Sequence, residues 1–288
     1  MSQPFSTATE AFPPRPAEPR IAVLVLGCLL PAYDRCIGTI RATWGSRRRD
    51  GVDVFYVYGG QGTKAAAGLV RIDDVVGQAP PELRDYEVWV SGDVILCGAG
   101  DVYAQQRDCI LRKRLIAFGY LAGQQRYDFV YTVCASSYVD VDALQRYVGG
   151  LPAAGVYHGP LGVYAPSGYP FVSGASMLLS RDVAADLADS AQTIVSGNVD
   201  ARPDDVAIGH WIADRYCPGS VAEIRRRVAA GRKATDNQTF VLPYGRGLVD
   251  FVYAPTQSQL PQPQAYHYHF HSGRMWEMEE FHHRFFAG

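Results

Sequence analysis

"YDFVYTVCASSYVDVDALQRYVGG", residues 127–150, decides the fold class. Up to Cys134 it is apolar and rich in aromatic and β-branched residues, the composition of a buried strand. From Asp140 to Gly150 it reads as an amphipathic helix, stopped by Gly149-Gly150. The chain turns between them at Cys134-Ala135-Ser136.

The same unit recurs outward from this stretch. "RIAVLVLGC" (20–28) is a continuous apolar run, the signature of a central parallel strand. "RCIGTIRATWG" (35–45) follows as a helix ending at Gly45, with Pro31 breaking the run before it. "VDVFYVYGG" (52–60) is a second buried strand, and "YEVWVSGDVILC" (86–97) a third short strand or turn region. "QRDCILRKRLIAFGYLAG" (106–123) has helical spacing. Strand and helix alternate, which predicts an α/β parallel sheet wound by helices. Ligands of such sheets bind beyond the carboxyl ends of the strands. That places Gly27, Cys28, Gly59 and Cys134 to Ser137 around one crevice.

The second half is less regular. Residues 168–190 read as strand, glycine turn and helix. Residues 202–217 begin with a proline and paired acids and turn helical. "AYHYHFHSG" (265–273) alternates histidine with aromatics, so His267, His269 and His271 share one strand face. "RMWEMEEFHHRFF" (274–286) closes the chain as an amphipathic helix that packs on its own domain rather than on a membrane. The expected organisation is a disordered proline-rich tail over 1–19 and one domain over 20–288. That domain divides into a first half to 150, a second half over 151–273 and a C-terminal helix over 274–288.

Composition narrows the partners. A net charge of −2 gives no global basic field for nucleic acid. Two arginine runs, 47–49 and 225–227, read as solvated faces. The six cysteines form no CxxC pair, which argues against a thiolate zinc site. Read as reduced thiols, they point to a cytoplasmic protein. No apolar run is long enough to cross a bilayer, so no transmembrane segment is expected. In that setting the sequon at Asn237 carries no meaning.

Taken in order, several motifs resemble one family. They are "IRATWG" (40–45), "VFYVYGG" (54–60), "GDVILCGAGDVYAQQRDCILRKRL" (92–115), "YPFVSGASMLLSRD" (169–182), "PDDVAIGHW" (203–211) and "FHS" (270–272). The set resembles the fringe and β-1,3-galactosyltransferase group, over roughly residues 20 to 273. The resemblance implies a GT-A fold, a nucleotide-sugar donor, a uridine-based one above all, and inverting transfer to a glycan hydroxyl. The first half then binds the donor and the second half the acceptor.

The resemblance also assigns roles. "SYVDVDAL" (137–144) fixes the register, and the family's metal-binding aspartate triplet falls on Cys134-Ala135-Ser136. None of these is a good ligand for magnesium or manganese. The expectation is therefore no cofactor and no divalent metal. Asp140 and Asp142 spell a D-x-D downstream, but at a helix start, where aspartate caps free amides; capping is the favoured reading and metal binding the alternative. The donor's diphosphate then needs other partners: Arg35, Arg41, Lys113 and His271 as cations, with Gly27, Cys28, Gly59, Ser136 and Ser137 beside them. Arg41 serves equally well as a helix-surface residue paired with an acid.

Asp205 aligns with the family's general base and Asp204 stands beside it, although Pro203-Asp204-Asp205 is also a good helix start. Gly174 and Ala175 are expected to admit the acceptor or donor sugar; a tight turn is the alternative, and both can hold together. Trp211 is either a sugar platform or core, and Trp44 is read as core. Three rivals follow: a degenerate transferase that binds without turnover, a metal-dependent enzyme using Asp140 and Asp142, and a nucleotide enzyme on another doubly wound fold. No GxGxxG follows the first strand, which counts against a dinucleotide cofactor.

Overall fold

The computed structural model describes residues 18–47, 49–61, 68–104, 106–164, 169–216, 241–242, 245–246, 251–253, 266–270 and 272–286. Its centre is β1 (Ile21–Leu26), six consecutive residues sealed from water. Ile21, Val23 and Val25 pack into one core, and Ala22, Leu24 and Leu26 into another. An apolar residue at every position is what a strand with both faces covered requires.

β1 pairs in parallel with β2 (Val52–Gln61) and with β5 (Phe129–Cys134). β4 (Val94–Gly100) lies parallel beyond β2, and β3 (Val88–Ser91) folds back on it. On the other side β10 (Ser176–Ser180) runs antiparallel to β5, and β7 (Tyr157–His158) antiparallel to β10. The order is β3-β4-β2-β1-β5-β10-β7. This is a mixed α/β sheet with its four central strands parallel, compatible with a Rossmann-like arrangement.

Helices cover both faces. α1 (Pro31–Ala42), α4 (Val141–Gly149) and α8 (Trp276–Phe285) pack on one side, through Ile37, Ile40, Leu144, Met278 and Phe281. α3 (Cys109–Gly123), α5 (Arg181–Asp189), α6 (Ala191–Gly197) and α7 (Asp204–Tyr216) pack on the other, through Leu115, Phe118, Leu187 and Ile208. Each such side chain contributes roughly 1.5–3 kcal/mol by leaving water. A small second sheet joins β6 (Ser137–Val139), β14 (His267–His269) and β13 (Phe251–Tyr253). Among the described residues two ribbons complete the strands: β8 (Leu161–Tyr164) with β9 (Tyr169–Val172), and β11 (Val241–Leu242) with β12 (Gly245–Arg246). A short α2 spans Ile72–Val76.

Four boundaries differ from the sequence reading. The first helix begins at Pro31 rather than at Arg35, with the proline at a position whose N–H would be unpaired in any case. The helix ends at Ala42, and Trp44–Ser46 forms a separate 3-10 turn. Residues 86–97 hold parts of two strands, because Gly92 at φ 57° turns the chain between β3 and β4. Residues 176–180 are a strand ahead of α5, fully buried against β5. Trp44 is core, as read, with its indole N–H donating to the Ser137 carbonyl at 2.9 Å.

Asp140 is the cap of α4, accepting from the Ala143 N–H at 3.0 Å. Asp142 pairs with Arg49. Asp140→Ala should therefore lower stability by about 0.5–2 kcal/mol in urea denaturation. It should leave any response to divalent metal unchanged.

Candidate functional site

β1 leads through α1 to β2 on one side, and β4 leads through α3 back to β5 on the other. Strand order thus reverses between β1 and β5, and the crevice beyond their carboxyl ends is the place such sheets offer a ligand. Residues from β1, β2, β4, β5, β10, β14 and α7 meet around it.

The wall beside β1 and β2 is held by a buried ion pair. Lys113 and Asp101 are each 1 % exposed. The Lys113 ammonium lies 3.0 Å from Asp101 Oδ1 and donates to the Gly27 carbonyl at 2.9 Å. Asp101 Oδ1 also accepts from the Gly59 N–H at 2.7 Å, and Oδ2 accepts from the Leu29 N–H. Burial pulls the ammonium down, but the Asp101 charge and hydrogen bond outweigh it and hold its pKa above the ordinary lysine value. Lys113 is therefore spent on Asp101 and the backbone, which corrects its expected role as a diphosphate cation. Gly59 is glycine for packing, since a Cβ there would sit 2.3 Å from the Gly100 carbonyl oxygen. The Cys28 thiol points at the Asp101 carbonyl, and burial pushes its pKa up to about 11.

The floor is the turn after β5. Cys134 Sγ lies 3.2 Å from Ser137 Oγ, 3.3 Å from Ser136 Oγ and 3.4 Å from His269 Nδ1. His269 Nε2 lies 3.4 Å from Ser136 Oγ. The pairing Ser137↔His269 between β6 and β14 creates this contact. Burial alone pushes the thiol up, but the hydrogen bond and charge of His269 and the two hydroxyls bring it down to about 7. Burial likewise disfavours charge on His269, but Cys134 outweighs it and raises the imidazole. His267 stacks against His269, with ring planes 8° apart, and its Nδ1 meets the Tyr131 hydroxyl at 2.6 Å. Burial holds His267 neutral.

The opposite rim is the start of α7. Asp205 Oδ2 accepts from the Gly174 N–H at 2.8 Å, and Oδ1 from the Val206 N–H at 2.9 Å. Burial, then the charge of Asp204, raises its pKa above the ordinary carboxylate range. Asp204 faces Arg114 Nε at 2.9 Å, a charge contact without hydrogen-bond alignment. Arg114 is itself buried and donates to the Gly174 carbonyl at 2.7 Å. A Cβ on Gly174 would meet that guanidinium at 2.5 Å. The glycine thus makes room for Arg114, in the turn between β9 and β10. Ala175 is the link to the floor, because the Ser137 hydroxyl reaches its carbonyl at 3.4 Å.

The remaining candidates scatter. Arg41 pairs with Asp93 at 2.9 Å and lies over the Tyr56 ring, at the amino-terminal end of β4 and away from the crevice. Its surface-pair reading stands and its phosphate role is corrected. Arg35 is exposed on α1. His271 lies outside the described residues, as do Cys217, the sequon at Asn237, the arginines at 225–227 and the proline-rich stretch over 1–17. Trp211 lines a separate cavity of about 390 Å³ with Tyr169, Asn198, His210 and Asp214; Asp205 and Gly174 are not part of its wall.

Sequence reasoning missed Asp101, Arg114 and the pairing of His269 with Cys134. The first two carried a signal, a carboxylate at a strand end and basic residues inside an apolar helical stripe. Among the described residues no group of three or more His, Cys, Asp or Glu is disposed to hold a metal, and no helix is long and apolar enough to cross a membrane. No protein-family model matches the sequence, and no curated protein matches it significantly.

Proposed function

We propose that the crevice is the site of an inverting glycosyl transfer, from a nucleotide-sugar (a uridine-based one first among candidates) to a carbohydrate hydroxyl, on a GT-A-type fold. The observation that carries this reading is Asp205. It is a buried carboxylate of raised pKa, joined through Gly174, Ala175 and Ser137 to the strand end where the sheet reverses. A base of this kind takes the acceptor hydroxyl's proton as that oxygen attacks the anomeric carbon, and the nucleotide diphosphate leaves from the opposite face. Asp204 and Arg114 hold Asp205 and the Gly174 turn in place. The strand end Cys134-Ala135-Ser136 offers no carboxylate, so the reading includes no divalent metal. Of the cations named from the sequence, Arg35 remains exposed on α1 and available to a diphosphate.

A second reading is a binding protein without turnover. It is favoured by the engagement of both Asp205 oxygens with backbone N–H groups. A panel of nucleotide-sugars, assayed for binding and for transfer in excess chelator and then with manganese, separates the two. The expected result is a uridine-linked donor that binds and turns over equally in both conditions. Binding without transfer favours the second reading. A loss in chelator that manganese restores would count against both the metal-free site and the structural roles of Asp140 and Asp142. If no nucleotide-sugar binds, the proposal fails.

A further inference from the structure

We propose that Cys134 is a nucleophilic thiol with His269 as its proton partner, and that this pair forms a covalent-modification site for hydroperoxides. The inference stands apart from glycosyl transfer and holds whether or not the crevice turns over a sugar.

The geometry makes Cys134 unlike the other described cysteines. Cys36, Cys97 and Cys109 direct their sulfurs at backbone carbonyls, of Ser272, Lys113 and Asp101, and Cys28 also at that of Asp101. A carbonyl accepts a hydrogen bond, so it stabilises the neutral thiol and opposes the thiolate. Around Cys134 stand an imidazole and two hydroxyls, all able to donate to sulfur. Burial correspondingly pushes Cys28 up to about 11 and Cys97 up to about 12, and raises Cys36 and Cys109. Cys134 alone among them is lowered. It is also partly exposed, whereas Cys36, Cys97 and Cys109 are buried.

The other ionisable groups near Cys134 leave the pair intact. From β14 these are His269 and, stacked on it, His267, which burial keeps neutral. From α1 they are Tyr33 and Cys36, and after β1 Cys28, all three raised by burial first and so neutral at pH 7. Beyond them lie the Arg35 guanidinium, which acts on Cys36, and the Lys113–Asp101 ion pair, which acts on Cys28.

The step balances. The thiol proton passes to His269. The thiolate attacks one peroxide oxygen, so that an S–O bond forms as the O–O bond breaks. The departing oxygen takes the proton from the imidazolium and leaves as water or alcohol. Sulfur is oxidised by two electrons to the sulfenic acid and the peroxide is reduced. Ser136, the partly exposed hydroxyl beside the sulfur, is placed to hold a peroxide oxygen.

The test uses the full chain, hydrogen peroxide and a dimedone trap for sulfenic acid, with each cysteine read separately by mass spectrometry from pH 5.5 to 9. The expected result is trapping at Cys134, roughly 50- to 100-fold faster at pH 7 than at Cys28, with a midpoint about 7. His269→Gln should move that midpoint above about 8.5. It should slow Cys134 about 5-fold at pH 7, because the loss of thiolate outweighs the gain in intrinsic nucleophilicity. Cys97 reports folding in each sample, since it reacts only when the core opens. If His269→Gln does not fold, the wild-type ratio of Cys134 to Cys28 still decides. Trapping at Cys134 no faster than at Cys28, or a midpoint unmoved in folded His269→Gln, overturns the proposal.

Discussion

Asp101→Ala is expected to lower the free energy of unfolding by about 3–5 kcal/mol, the cost of leaving a buried charge without its partner. Lys113 has no route to water, and its remaining acceptors are the carbonyls of Gly27 and Asp101. The Leu29 and Gly59 N–H groups lose their acceptor in the same substitution. Lys113→Met should cost less, because Asp101 keeps both N–H groups. The double variant should recover part of the loss, since the orphaned ammonium is gone. Urea denaturation of the two single variants and the double variant closes the cycle. Additive single effects would mean that the two charges do not interact, against the 3.0 Å contact.

Asp205→Asn should lower transfer by about 10²–10⁴-fold, the usual consequence of losing a general base. Donor binding should survive, because the base serves the acceptor. Stability should survive too. An acid whose pKa is raised in the folded state binds its proton more tightly there, so ionisation above that range costs stability. Asparagine removes that cost while keeping a carbonyl oxygen for the Gly174 or Val206 N–H. Asp204→Asn should be milder for catalysis, since Asp204 acts through Arg114. In the wild type the rate should fall with decreasing pH through a value above the ordinary carboxylate range. If Asp205→Asn keeps full transfer while Asp204→Asn abolishes it, the roles are reversed. If both stay active, the base lies elsewhere.

The centre of the fold was legible because β1 has no choice: a strand covered on both faces must be apolar at every position, and Ile21 to Leu26 is. Pairings that depend on a distant partner were not. Arg112, Lys113 and Arg114 look alike on paper, yet Arg112 pairs with Asp108 near the surface and the other two are buried. Nothing local says which basic residue of a helix will find Asp101 or Asp204. The histidine face was visible from its period of two. Which histidine meets Cys134 depends on the register of β14 against β6, and those segments lie far apart in the chain. For the same reason Cys134 read only as a poor metal ligand, when the fold gives the thiol an imidazole.

The pairing of β1 also governs how the chain is made. The ribosome delivers Ile21 to Leu26 well before their partners in β5, Phe129 to Cys134, and β10 comes later still. In that interval β2 can cover one edge of β1, while the other stays open on a wholly apolar strand. Such an edge is a template for pairing with another chain. During translation, protection of the nascent protein thus falls to whatever shields that edge until α3 has emerged and β5 can dock.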